Sequence, residues 1–313
     1  MMQKVIWQRL LALILLTGLL CPEAPAAGEL ERRIDSLFII ASSGEVRFRD
    51  QNEPAMDSVA ALGAAAVPHL IEKFTTKSAR ERWTVIWILQ RIGSAAVPDL
   101  VRALDREDGL VVQRICWALG DIKDTAAVRP IMRVCTHERW QVRDQAVGAL
   151  GKIGDAEGGP AVLQALADSI GQVRKSAAVA CGQLGLGASV MQLAHVLGDD
   201  FYGARMSAAH SLLTMDTAVT VRALSDSMSS ENHLLGNLAC RVLGQLGTDE
   251  ALEILLEQAV SGDSERRAHA ATALIAADPL DNCGFRRYLL ENETDRLVVL
   301  KIQSAIQAVG DGQ

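Results

Sequence analysis

The segment Ala65-Ala66-Val67-Pro68-His69-Leu70 returns thirty residues later as Ala95-Ala96-Val97-Pro98-Asp99-Leu100. Trp117-Ala118-Leu119-Gly120-Asp121-Ile122 returns as Gly148-Ala149-Leu150-Gly151-Lys152-Ile153. Unit-ending turn positions fall at Gly63, Gly93, Lys123, Gly154, Gly185, Asp216, Gly247, Asp278 and Gly310, in steps of 30 to 32 residues. So regular a period marks an array in which each unit is one supersecondary element, and only stacking buries a continuous core. It overrides the two globular domains that 313 residues would otherwise suggest.

Within a unit the apolar spacing is helical. Val142, Ala146, Ala149, Leu150 and Ile153 stand at i, i+4, i+7, i+8 and i+11, which is one face of a helix. Gly154 then suits the left-handed position that ends a helix. Pro160 suits the first turn of the next one, and Pro68, Pro98 and Pro130 hold similar places. Strand alternation is absent. Each unit is therefore predicted to be a helix pair.

The pattern Val142-Arg143, Ala146, Ala149-Leu150-Gly151, Ile153-Gly154-Asp155 resembles the HEAT repeat, in the short form also found in phycobilisome bilin-lyase subunits. The resemblance runs from about Asp57 to Gly310. It implies an all-α fold, an α-solenoid built as a right-handed superhelix of about nine helix pairs. At about 10 Å per pair that is a curved rod near 90 Å long. Residues 57–313 are assigned to the array. Residues 27–56 are read as a capping helix and loop, because Leu30, Ile34, Leu37, Phe38 and Ala41 form one more helical stripe. The matching residues are packing residues, so they carry fold rather than function.

Residues 1–26 read as a secretory signal. Lys4 and Arg9 precede the apolar run Leu10–Leu20, which is too short to span a membrane, and Ala24-Pro25-Ala26 favours cleavage after Ala26. The expected location is periplasmic or extracellular. The alternative is a lipoprotein held at the membrane through Cys21, although Leu20 is larger than that cleavage prefers. Cys116, Cys135, Cys181, Cys240 and Cys283 are odd in number and sparse, which suits small buried core residues better than a disulfide framework.

In a stack of equivalent helices, equivalent positions form columns. Counting each second helix from its Val142 equivalent as zero, positions 2 and 6 lie opposite the core, on the side that is concave in HEAT-like stacks. Position 2 reads Trp83, Gln113, Asp144, Lys175, Met206, Asn237 and Ala268. Position 6 reads Trp87, Trp117, Gly148, Val179, His210, Arg241 and Thr272. Trp83, Trp87 and Trp117, with His210 and Arg241 further along, are the candidate binding residues. The competing reading makes the tryptophans a cover for the loop from Val46 to Glu53. Position 1 carries Arg82, Arg143, Arg174, Arg205 and Arg267. This column is expected to be a structural ladder, each arginine pairing with an acid five or six residues upstream: Glu138, Asp168 and Asp199 serve Arg143, Arg174 and Arg205.

The catalytic search yields little. The six histidines form no HExxH, and no Cys/His spacing suits a metal. A helical-repeat hydroxylase family binds iron through four His-Glu pairs, whereas this chain has one, His137-Glu138. The glycines of 182–187 end a helix and follow no strand. A net charge of −7 argues against nucleic acid. The expectation is thus an exported, non-catalytic scaffold without a cofactor, binding a protein or other partner along its concave face. One alternative is a lyase-like or hydroxylase-like enzyme or enzyme subunit. The other is an envelope protein that self-associates through its last helix, where Val298, Val299, Leu300, Ile302, Ile306 and Val309 leave few polar positions.

Overall fold

The structure, a computed structural model, describes residues 27–311 except 229, 279, 282 and 283. The signal segment 1–26, Cys21 and Cys283 lie outside the described residues. Among the described residues there is no strand, and no single helix is long and apolar enough to cross a membrane. The chain forms two compact units that divide between Ala96 and Val97.

The first unit holds α1 (Ala27–Ala41), α2 (Asn52–Ala60), α3 (Val67–Glu72) and α4 (Ala79–Ile92). Helix α1 buries Ile34, Phe38 and Ala41 and packs on α2, as its apolar stripe predicts. Asn52 joins the two: its side-chain amide donates to Ala41 O (3.1 Å) and Ser43 O (2.8 Å), satisfying carbonyls that the end of α1 leaves open. The outer face of α1 is tied down by Lys73, whose ammonium meets Asp35 at 2.5 Å and lies 4.9 Å from the centre of the Phe38 ring.

The second unit is a run of helix pairs. Its first helices are α5 (Val97–Arg102), α7 (Val128–Val134), α9 (Gly159–Ala165), α11 (Val190–Val196), α13 (Thr217–Ser227), α15 (Asp249–Ser261) and α17 (Phe285–Asn292). Its second helices are α6 (Gly109–Ile122), α8 (Trp140–Ile153), α10 (Gly171–Leu184), α12 (Tyr202–Leu212), α14 (His233–Leu246), α16 (Ser264–Ala277) and α18 (Arg296–Asp311). Second helices pack on their successors in order. In α8, Val142, Ala146, Ala149 and Leu150 are buried and Ile153 is half-buried, close to the predicted stripe. Trp140 opens α8 with its side chain partly exposed.

The second helices approach closely because of a glycine column at position 9. A Cβ on Gly120 would lie 2.9 Å from Ala149 Cα, and one on Gly151 would lie 2.9 Å from Ala180 Cα. One on Gly182 would lie 2.6 Å from Ser211 Oγ, and one on Gly244 would lie 2.9 Å from Ala273 O. Each glycine meets position 7 of the next second helix, so a side chain there would force the pair apart.

The predicted unit ends hold at five of the six glycines. Gly63, Gly93, Gly154, Gly185 and Gly247 all have positive φ, and so does Lys123 (φ 60°). Asp216 and Asp278 differ, with φ of −56° and −121°. Asp216 caps the N-terminus of α13, its carboxylate accepting the Val219 N–H at 3.0 Å. After α16 the positive φ falls on Asp281, and Gly310 lies inside α18. Lys123 bears the cost of a side chain in the left-handed region. Lys123→Gly is therefore expected to raise stability by about 1 kcal/mol, read as a higher urea midpoint with an unchanged slope.

Cys116, Cys135, Cys181 and Cys240 are buried free thiols. Burial pushes Cys181 and Cys240 up to about 11 and Cys135 to about 12. Cys116 is raised further by burial and then by nearby Cys135. Such thiols are unreactive near neutrality. Helix α18 buries Val298 and Ile302, half-buries Val299, Ile306 and Val309, and leaves Leu297 and Leu300 exposed.

Candidate functional site

Helix α4 starts at Ser78, whose hydroxyl accepts the Glu81 N–H, and buries Val85, Ile86, Ile88 and Leu89. That burial fixes the opposite face, where Trp83 and Trp87 emerge one turn apart. Their ring centroids are 5.9 Å apart with the planes tilted by 35°, and each residue keeps 44% of its surface exposed. Tilted rings at this distance attract through their quadrupoles and form one broad apolar surface. Arg91, a turn beyond Trp87, pairs with Glu53 and with Asp57 (3.0 Å), which puts a charged edge on this surface. The segment Val46–Gln51 forms a 3-10 turn with no buried residue. Within Val46–Gln51 the competing reading, rings that cover this loop, finds no buried residue.

In the second unit the two columns behave differently. At position 6, Val179, His210, Arg241 and Thr272 are exposed, while Trp117 and Gly148 are half-buried. At position 2, Gln113, Asp144, Lys175, Met206 and Asn237 are half-buried and Ala268 is buried. Position 2 turns out to face the next second helix as much as solvent. The Ser176 hydroxyl donates to Asp144 (2.6 Å), and the Asn237 amide donates to Glu265 (2.8 Å). Burial raises the Asp144 carboxyl, against the pull of the Ser176 bond and of Lys175. Position 6 is the solvent edge of the stack.

The arginine column differs from expectation in its direction. Arg143 makes a bidentate pair with Asp168 (2.7 and 2.9 Å), and Arg174 with Asp199 (2.5 and 2.7 Å). Arg267 does the same with Glu293 (2.8 and 3.1 Å). These carboxylates lie 25 or 26 residues downstream, in the next repeat. The upstream residues serve through their carbonyls: Arg143 donates to His137 O and Glu138 O, Arg174 to Asp168 O, and Arg205 to Asp199 O. The reason is the cap geometry. Asp168 and Asp199 accept the N–H of the residue two positions on, Ile170 and Phe201. That turn points the carboxylate back toward the preceding repeat. Burial alone would raise the Asp168 and Asp199 carboxyls. The arginine bonds and these N–H groups outweigh it and hold both below the usual range. Arg267 lowers Glu293 against a smaller burial effect.

Four positions, Arg82, Val112, Arg205 and Gly236, lack such a pair among the described residues. Arg82 in the first unit donates to Lys77 O at 2.8 Å. Gly236 carries no side chain, and the Arg266 guanidinium occupies the space beside it, bonding to Met228 O and to Ser230 O (2.9 Å).

The HEAT repeats model matches residues 98–182, 131–213 and 190–275, which together span more than half of the chain. The chain is a HEAT-repeat protein. The PBS lyase HEAT-like repeat model also matches the array, at residues 81–106. Several solved structures are similar. Human deoxyhypusine hydroxylase in complex with glycerol is 19% identical, with a TM-score of 0.36, over 82% of this chain and 99% of that one. The complex of CpcE and CpcF of phycocyanin lyase from Nostoc sp. is 17% identical, with a TM-score of 0.41, over 78% and 94%. YibA of Escherichia coli is 15% identical, with a TM-score of 0.48, over 82% and 96%. No curated protein shows significant sequence similarity to the chain.

Within this HEAT array Arg241 is distinctive. It lies in the middle of α14, facing a groove between α14 and α16 of about 540 Å³. Sequence columns locate Arg241 but give no sign of the groove, which depends on small residues of α16 that read as ordinary packing. Among the described residues no three His, Cys, Asp or Glu lie together as metal ligands would. His137, of the lone His-Glu pair, accepts the Arg139 N–H at 3.0 Å as a turn feature.

Proposed function

We propose that this HEAT-repeat protein is an exported, non-catalytic scaffold that binds a partner on the face its second helices turn away from the core. The observation that carries the reading is the paired exposure of Trp83 and Trp87 on a helix whose other face is fully engaged in packing. A large aromatic surface left in water is costly unless something covers it, and tryptophan anchors dominate interface energetics. In the second unit His210 and Arg241 hold the helix position equivalent to Trp87 and are exposed. Export rests on the charged start, the short apolar run and Ala24-Pro25-Ala26.

The test is affinity capture from the native source with the wild type beside Trp83→Ala/Trp87→Ala, both matched for helicity. A true partner is expected to bind the variant at least about 30-fold more weakly, as loss of a tryptophan anchor worth about 2 kcal/mol requires. Equal capture by both proteins removes the tryptophans from the site. A stoichiometric chromophore or metal in the purified protein replaces the scaffold reading with the enzymatic one.

A further inference from the structure

Several basic side chains on the second helices of the second unit are matched by acids. Arg143, Arg174 and Arg267 each hold a carboxylate, and Lys152 holds Asp121 at 2.7 Å. Arg241 does not. Its guanidinium is exposed and makes no hydrogen bond or ion pair among the described residues. The chain carries a net charge of −7, yet the cation that lines this groove has no acid among the groove's described lining residues.

The surroundings are suited to a guest. Asn237 and Gln245 flank Arg241 at i−4 and i+4, so three polar side chains form a row along α14. His269 and Thr272 stand across the groove on α16, and Ala273 and Ala276 floor it. Among the described residues no acid lines the groove. The nearby acid Glu265 is engaged by Asn237 (2.8 Å) and lies 3.8 Å from His233. Burial, then Lys301, lowers the His269 imidazole, against the opposing charge of Glu265. It is therefore neutral at pH 7 and able both to donate and to accept.

From this geometry we propose that the groove between α14 and α16 receives an acidic side chain, Asp or Glu, from an extended segment of a partner protein, with Arg241 as its counter-ion. An arginine fork fits a carboxylate bidentately. The row from Asn237 to Gln245 spans eight residues of helix, about 12 Å. That length covers about four residues of extended chain at roughly 3.3 Å each. A groove of this length is better filled by a segment that runs on at both ends than by a chain terminus. The floor of small residues admits a backbone, and the amides beside Arg241 can bond to it. The proposal rests on the scaffold reading and names the chemistry of the partner.

The test uses two pools of random nonapeptides, amidated at the C-terminus. One pool has Glu fixed at the centre and the other has Gln. Each is passed over the immobilised full chain, and retention is read by mass spectrometry. The wild type is expected to retain the Glu pool about ten-fold better, the size of one charge-assisted bond. Arg241→Gln, a surface change, is expected to erase that preference. Ala276→Glu, which places an acid in the groove, is expected to lower Glu-pool retention to the level of the Gln pool. Equal retention of both pools by the wild type overturns the proposal while peptide binding, and with it the scaffold reading, stands. Retention of neither pool also overturns it and leaves the tryptophan capture to decide the scaffold reading. A preference that survives Arg241→Gln overturns it by moving the cation elsewhere. Preference for free C-termini over amidated ones, regardless of the central residue, overturns it in favour of a terminus-binding site.

Discussion

Gly151→Val is expected to destabilise the protein by about 3 kcal/mol or more, whereas Gly148→Val on the same helix is expected to be neutral or slightly stabilising. Both glycines lie inside α8, so both substitutions remove a poor helix former. They differ in what a side chain would meet. At Gly148 nothing lies within 4 Å of an added Cβ. At Gly151 the Cβ alone would lie 2.9 Å from both Ala180 Cα and Ala180 Cβ, and would also meet the Gln183 amide. The Ala180 contact is with the backbone of the next helix, which no rotamer change relieves. Overpacking of this kind costs 1–3 kcal/mol even where side chains can yield. Thermal melts of the two variants beside the wild type decide the matter. A Tm loss of roughly 6 °C or more is expected at 151 and none at 148. Equal melts would mean that the second helices separate without penalty.

Arg174→Met is the second large effect. The Arg174–Asp199 pair keeps only 14% and 7% of its side chains in solvent, and Asp200 adds a further contact at 2.5 Å. Removing the cation leaves a shielded carboxylate without its partner, a loss expected at about 3 kcal/mol at pH 7. The pH dependence identifies the cause. The Asp168 and Asp199 carboxyls, raised by burial but lowered further by arginine and N–H contacts, lie below their unfolded values, and Arg267 holds Glu293 low as well. Groups depressed in the folded state add stability that is fully present above the unfolded carboxylate pKa, near 4. It is lost as pH falls through the depressed values. The wild type is therefore expected to weaken below about pH 4. Arg174→Met is expected to weaken less over the same range, so that the two urea midpoints converge. A gap that stays constant to pH 2 would show that Arg174 stabilises through packing alone.

Much of the fold is legible in the sequence because packing residues carry the period. The Leu150 position is buried in every second helix from α4 to α16, and the Gly151 position is glycine in α6, α8, α10 and α14, so the demand recurs with the repeat. The direction of the arginine pairs is hidden for a related reason. Asp168 lies six residues before Arg174 and twenty-five after Arg143, so the sequence offers both partners at once. Only the turn that binds the Ile170 N–H decides between them. The tryptophan face could be read from the helical wheel, because Val85, Ile88 and Leu89 fix its opposite. The exposure of position 2 could not. Single-helix geometry gives the side facing away from the core, but the neighbouring second helix covers part of that side, as buried Ala268 shows. The groove beside Arg241 depends on two helices at once and so leaves no trace in the periodicity of either.

The carboxylate ladder also sets how failure would spread along the chain. Arg143 and Arg174 each couple a second helix to the repeat that follows. Arg205 donates to Asp199 O and Asp200 O but holds no carboxylate among the described residues. Among the described residues, arginine–carboxylate pairing between neighbours therefore lapses after α12 and resumes at Arg267. In a quasi-one-dimensional polymer, cooperativity is only as long as its chain of neighbour couplings. The array is therefore expected to separate first after α12 on denaturation, read as earlier loss of hydrogen-exchange protection in the repeats that follow than in those before. The Arg241 groove lies on the side expected to open first.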